Sequence, residues 1–108
     1  MPTEEMTLAQ LEKTVATATF PILVDFYTET CPHCATVAAA LEQVAQTPDL
    51  RARLVKVSLT KNPQAREKYG IRSVPTLLLF CDGVERERHI GAMPPAAIAR
   101  MLALPQTV

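Results

Sequence analysis

The sequence carries no excess of charge of either sign, no apolar run long enough to span a bilayer, no repeat and no low-complexity stretch. Eleven basic residues balance eleven acidic ones, so no net field favours a nucleic acid or an anionic membrane as partner. The acidic opening, Met1-Pro2-Thr3-Glu4-Glu5-Met6-Thr7, lacks the basic start and long apolar core of a secretory signal, so the expected compartment is cytoplasmic. Cysteine is scarce. Three in 108 residues, an odd number, fit a reducing compartment and one working pair better than a framework of structural disulfides. What is present suffices for a core: 48% of residues are hydrophobic, and the length suits one domain over 1–108, expected to be a monomer.

The most informative stretch is Thr30-Cys31-Pro32-His33-Cys34. The run before it, Pro21-Ile22-Leu23-Val24-Asp25-Phe26-Tyr27, is almost continuously apolar, as a strand covered on both faces should be. After it, Cys34, Val37, Leu41 and Val44 recur at steps of three and four, which marks one apolar face of a helix from Cys31 to about Gln46. With Cys31 as N-cap, Pro32 falls at the first helical position, where its fixed φ suits the helix and its missing N–H is not needed. A sulfur at the N-cap faces free first-turn N–H groups and the positive end of the helix dipole, both of which stabilise a thiolate. Cys31 is therefore the candidate nucleophile. Cys34 begins the apolar stripe and should point inward with a raised pKa, which makes it the candidate resolving thiol.

His33 lies between them, where an imidazole can donate a hydrogen bond to, or place positive charge beside, the Cys31 sulfur. Stabilising a thiolate favours dithiol over disulfide. A generic cysteine lowered from ~8.5 to ~6 gains about 1.4 kcal/mol at neutral pH, or roughly 30 mV for a two-electron couple. Pro32 and His33 are accordingly expected to make the pair more oxidising.

Elsewhere, Thr7 to Gln10 forms a capping-box pattern, with Leu8, Leu11 and Val15 on one side of a first helix. Leu54-Val55-Lys56-Val57-Ser58-Leu59 reads as a second core strand. Asn62 and Pro63 then supply an expected N-cap and first-turn proline for a short helix ended by Gly70. Strand, helix, strand in that order implies parallel pairing, hence an α/β fold. Thr76-Leu77-Leu78-Leu79-Phe80, a Cys81-Asp82-Gly83 turn and Val84 to Ile90 read as a hairpin. Its second strand carries Glu85, Arg86, Glu87, Arg88 and His89, the composition of a solvated sheet edge. Pro94-Pro95 opens a closing helix through Ile98, Met101 and Leu102. Extended chain at ~3.3 Å per residue carries Cys81 roughly 20 Å beyond Pro75, outside the dithiol site.

In order and spacing, Val24-Asp25-Phe26-Tyr27 before the Cys-x-x-Cys, Lys56, Asn62-Pro63, Lys68-Tyr69-Gly70-Ile71-Arg72-Ser73-Val74-Pro75-Thr76, Phe80 with Asp82-Gly83, and Gly91-Ala92 resemble the thioredoxin family over nearly the whole chain. The resemblance implies a thioredoxin fold, a central mixed sheet flanked by helices on both faces, and thiol–disulfide exchange with protein substrates. It implies a cis peptide bond at Val74-Pro75 beside the dithiol and a buried Asp25 beneath Cys34 that accepts its proton. Lys56 is implied as the partner that holds the Asp25 pKa down. Thr30, Val74, Pro75, Gly91 and Ala92 are implied as the substrate groove. The expected partners are disulfide-containing proteins and a reductase resembling thioredoxin reductase, with no nucleic acid and no membrane.

Three departures stand out. Thr30 occupies the place of a tryptophan, and Pro32-His33 replaces Gly-Pro, a pair that looks like that of periplasmic disulfide oxidases; Ala39 also replaces a proline that kinks this helix in many relatives. The sequence therefore reads as a cytoplasmic protein disulfide reductase, with a disulfide isomerase or oxidase role as the alternative. A zinc-binding module is disfavoured, because a structural site wants four ligands and no second cluster accompanies Cys31, His33 and Cys34. A redox-inactive adaptor would need neither cysteine, nor Asp25, nor Val74-Pro75. No cofactor and no metal are expected, because the electrons reside in the cysteine pair.

Overall fold

The structure, a computed structural model, describes residues 3–48 and 50–103. Met1 and Pro2 of the acidic opening and residues 104–108 of the expected domain lie outside the described residues. The elements are β1 (Glu4–Glu5), α1 (Leu8–Thr17), β2 (Ile22–Tyr27), α2 (Pro32–Val44), β3 (Arg53–Ser58), α3 (Gln64–Tyr69), β4 (Thr76–Cys81), β5 (Val84–Ile90) and α4 (Pro95–Ala103). The sheet runs β1-β3-β2-β4-β5, with β1, β3 and β2 parallel and β4 and β5 antiparallel. This is the mixed sheet expected, with one strand more than the sequence reading contained. Glu4–Glu5 is too short and too acidic to register as a strand by pattern, yet it pairs with Val55 and Lys56.

Each face of the sheet carries its own core. Leu23, Leu54, Leu77 and Leu79 point one way and pack with Val37 and Leu41 of α2 and Ile98 and Leu102 of α4. Val24, Phe26, Val55 and Val57 point the other way against Leu11 of α1 and Ala65 of α3, with Tyr69 packed at the margin. Period-two alternation along the strands and the apolar stripes of the helices thus meet as their spacings require. Each fully buried aliphatic side chain contributes roughly 1.5–3 kcal/mol. Because β2 sits between β3 and β4 under both layers, every residue from Ile22 to Phe26 is buried, including Asp25.

Local signals hold α1 and the hairpin in place. Thr7 Oγ1 accepts from Gln10 N at 3.1 Å and Gln10 Oε1 accepts from Thr7 N at 2.9 Å, completing the capping box. The hairpin needs correction at its tip: Cys81 is the last residue of β4, and Asp82 and Gly83 alone turn the chain. Their φ values of 53° and 79° are both positive, the signature of a type I′ turn whose twist matches the flanking strands.

The start of α3 also differs from expectation. Pro63, not Asn62, is its N-cap, with no side-chain cap bond. Asn62 serves another helix instead. Its Oδ1 accepts from Leu8 N at 2.9 Å, one of the first-turn donors of α1, while its Nδ2 donates to Ser58 O at 2.9 Å. Local pattern could not reveal this, because the donor lies 54 residues away. Among the described residues, no helix is long and apolar enough to cross a membrane.

Candidate active site

The C-terminal end of β2 delivers the chain through Thr28-Glu29-Thr30 to Cys31, the N-cap of α2, with Pro32 at the first helical position. Cys31 has extended backbone (φ −96°, ψ 115°), so its side chain folds back over the first turn. The Cys34 amide donates to Cys31 Sγ at 3.1 Å. The sulfur therefore occupies the place a serine or aspartate oxygen takes in an ordinary N-cap, in the field of the helix terminus. Cys31 is half-buried, Cys34 is buried, and both are free thiols. Burial, reinforced by the hydrogen bond and charge of Cys31, pushes the Cys34 thiol up to about 12. Pro32 and His33 are exposed on the rim; among the described contacts, no hydrogen bond joins the His33 ring to Cys31 Sγ. The helix itself runs unbroken through Ala39 to Val44.

A second segment closes over the dithiol. The Val74–Pro75 peptide bond is cis. Cys31 Sγ lies 4.0 Å from the Val74 carbonyl oxygen, and Gly91 N donates to Pro75 O at 2.9 Å. Gly91 has φ 101°, a left-handed value that favours glycine at this junction. Val74, Pro75 and Gly91 are thus gathered beside Cys31, whereas Thr30 is exposed on the approaching turn. Ala92 faces a different space: it lines an open apolar groove of about 430 Å³ between α2 and the start of α4, together with Thr36, Ala39, Gln43 and Met93.

Asp25 is 0% exposed, and neither carboxyl oxygen has a hydrogen-bond partner among the described residues. An ionised carboxylate in that position loses hydration without recompense. Burial accordingly pushes its pKa from 3.8 up to about 7, the Lys56 ammonium opposes that rise, and Glu5 adds to it. Lys56 stands directly opposite Asp25 in the β2–β3 register. It is half-buried, with Nζ 4.7 Å from the centroid of the Tyr27 ring, so it is not an ordinary solvated lysine.

Two supports were invisible to sequence reasoning. Ser58 Oγ donates to Glu29 Oε2 at 2.6 Å and accepts from Lys61 N at 3.2 Å, tying the turn before Cys31 to the end of β3. That bond holds the Glu29 carboxyl below its usual range. Arg88 looks like one more charge on the solvated edge. Its Nη1 instead donates to Gly70 O at 3.1 Å and its Nη2 to Tyr69 O at 2.7 Å, satisfying carbonyls at the end of α3 just ahead of the segment that leads to Pro75. Cys81 stays apart, at the hairpin end, where burial raises its thiol. His89 is half-buried on the edge strand β5.

Geometry and comparison agree. The thioredoxin family model matches residues 2–103. The chain is 36% identical over 97 residues to thioredoxin 1 of Synechococcus elongatus, covering 90% of this chain and 91% of that protein. It is 40% identical over 86 residues to the thioredoxin of Rhodospirillum rubrum, covering 80% and 83%. Among solved structures, chloroplastic thioredoxin z superposes with a TM-score of 0.87 at 26% identity, over 100% of this chain and 97% of that one. A mutant thioredoxin from Halobacterium salinarum superposes with a TM-score of 0.83 at 26% identity, over 94% and 88%. A paired Cys31 and Cys34 at the N-terminus of α2, on this fold and with these relatives, place the chain in the thioredoxin family of thiol–disulfide oxidoreductases.

Proposed function

We propose that Cys31 attacks a protein disulfide and Cys34 resolves the product. The Cys31 thiolate bonds to one substrate sulfur and expels the other as a thiolate, giving a mixed disulfide. Cys34 then gives up its proton to Asp25 and its sulfur attacks Cys31 Sγ; the Cys31–Cys34 disulfide closes and the second substrate thiolate leaves. Two electrons pass from the cysteine pair to the substrate disulfide, and a separate reductase of the thioredoxin-reductase kind restores the dithiol. The observation that carries this reading is the 3.1 Å bond from Cys34 N to Cys31 Sγ, which puts both cysteines at one helix end.

Asp25 suits its part because burial lifts its carboxyl to about 7, so it can both take and release a proton near neutrality. Lys56 restrains that rise. Val74, Pro75 and Gly91 offer backbone beside Cys31 for an extended substrate segment, with Thr30 at its margin. Pro32 shapes the turn, and His33 makes the couple more oxidising than that of a typical thioredoxin. A cytoplasmic monomer acting as a disulfide reductase fits the balanced charge and the lone cysteine pair.

The test is the equilibrium potential against glutathione for the wild type and His33→Pro. A less oxidising variant, by roughly 30 mV, supports tuning by His33. An unchanged potential in a folded variant removes it.

A further inference from the structure

Glu5, Lys56 and Asp25 form one row across three adjacent strands: Glu5 opposes Lys56 between β1 and β3, and Lys56 opposes Asp25 between β3 and β2. Tyr27 lies two residues beyond Asp25 and projects from the same face. Among the described residues, no ion pair joins Lys56 to either acid. What holds its ammonium is the Tyr27 ring, whose centroid lies 4.7 Å away. The ring is anchored at its outer end, where the phenol donates to the Glu5 carboxylate, 2.8 Å from each oxygen.

The geometry points to Tyr27 as a positioning residue: its ring fixes the Lys56 ammonium relative to Asp25, Glu5 anchors the ring, and the proton affinity of Asp25 follows. The inference rests on Asp25 being the acceptor of the Cys34 proton. A lysine at the rim of a sheet otherwise extends its flexible stem toward water, which weakens its pull on a buried carboxylate. The face of an aromatic ring offers a fixed, partly dehydrated site for the cation.

Asp25 is accessible to such control, since Lys56 lowers its pKa and Glu5 raises it against the dominant effect of burial. The other groups facing this site are Cys34 and Cys31 from the start of α2 and Glu29 from the turn before it, the last acting on Tyr27. From β4 the partner of Asp25 is the apolar Leu77. The Tyr27 phenol remains a donor throughout the working range, because burial and the bond to Glu5 both raise it.

The experiment is a carboxyl carbon NMR titration of Asp25 in the oxidised protein, where Cys34 holds no proton, for the wild type, Tyr27→Leu, Tyr27→Phe, Lys56→Met and Tyr27→Leu/Lys56→Met. Lys56→Met and Tyr27→Leu each raise the Asp25 midpoint, by about half a pH unit or more. Tyr27→Phe keeps the ring and rises less. In the Lys56→Met background, Tyr27→Leu adds nothing. A Tyr27→Leu shift that is absent, or equal in both backgrounds, overturns the positioning role. Should Tyr27→Leu fail to fold, the Lys56 side-chain protons of the wild type decide: ring-current displacement supports the placement, and unperturbed shifts overturn it. If the Asp25 midpoint follows Lys56 while the rate of resolution by Cys34 ignores it, Tyr27 keeps its role and the proton-acceptor reading of Asp25 falls.

Discussion

The amide of Cys34 donates to the sulfur of Cys31 across a single helical turn, at 3.1 Å. One cysteine is half-buried at the helix end and the other is buried beneath it, so the two thiols are inequivalent before any substrate arrives. Replacing them should separate the two halves of exchange. Cys34→Ser retains attack but loses resolution, so it should accumulate a covalent adduct with a disulfide protein, detectable by mass. Cys31→Ser should form no adduct and return disulfide reduction to its uncatalysed rate. An adduct on Cys31→Ser through Cys34 would reverse the assignment.

Asp25 makes stability depend on pH with a definite sign. Its folded pKa, about 7, stands above the unfolded value near 3.8, so between these values the native state binds more protons than the unfolded one. Its favourable contribution is fully present below about pH 3.8 and is lost as pH rises to about 7. Asp25→Asn removes the dependence. Relative to wild type, the variant should gain stability steadily from about pH 4 to about pH 8, by a few kcal/mol in all. Denaturant midpoints at a series of pH values check this; a difference that stays flat with pH would mean that Asp25 ionises as easily folded as unfolded.

Arg88 and Asn62 test the two long-range ties. Arg88→Ala frees the carbonyls of Tyr69 and Gly70, and Asn62→Ala frees the N–H of Leu8, while the Ser58 carbonyl keeps the backbone N–H of residue 62. Each should cost about 1–2 kcal/mol of stability in denaturant melts. Exchange should slow with Arg88→Ala, whose tie lies next to the segment leading to Pro75, and hold its rate with Asn62→Ala. An unchanged rate in Arg88→Ala would mean that its tie does not bear on the site.

Those two residues also mark where the sequence stops being legible. Thr7 with Gln10, Pro32 after Cys31, and the apolar run of β2 act within one turn or one strand, so pattern alone finds them. Asp25 is legible through the family resemblance, which the cost of burying a lone carboxylate in an apolar strand reinforces. Asn62 reads as the cap of its own helix, Ser58 as one more residue of a core strand and Arg88 as a charge on the edge, and only the closed fold brings them to distant backbone or side-chain partners. The same holds for β1, whose two residues form a strand because Val55 and Lys56 offer it an edge, and for Tyr27, whose neighbours Glu5 and Lys56 come from two other strands.

Exchange itself is most directly tested by equilibrating the protein with graded ratios of reduced to oxidised glutathione, trapping free thiols, and mapping peptides by mass. The expected result is one reversible disulfide joining Cys31 to Cys34, with Cys81 labelled as a free thiol at every ratio. A pair that stays reduced across the series, or a disulfide formed through Cys81, would contradict a redox centre at the start of α2.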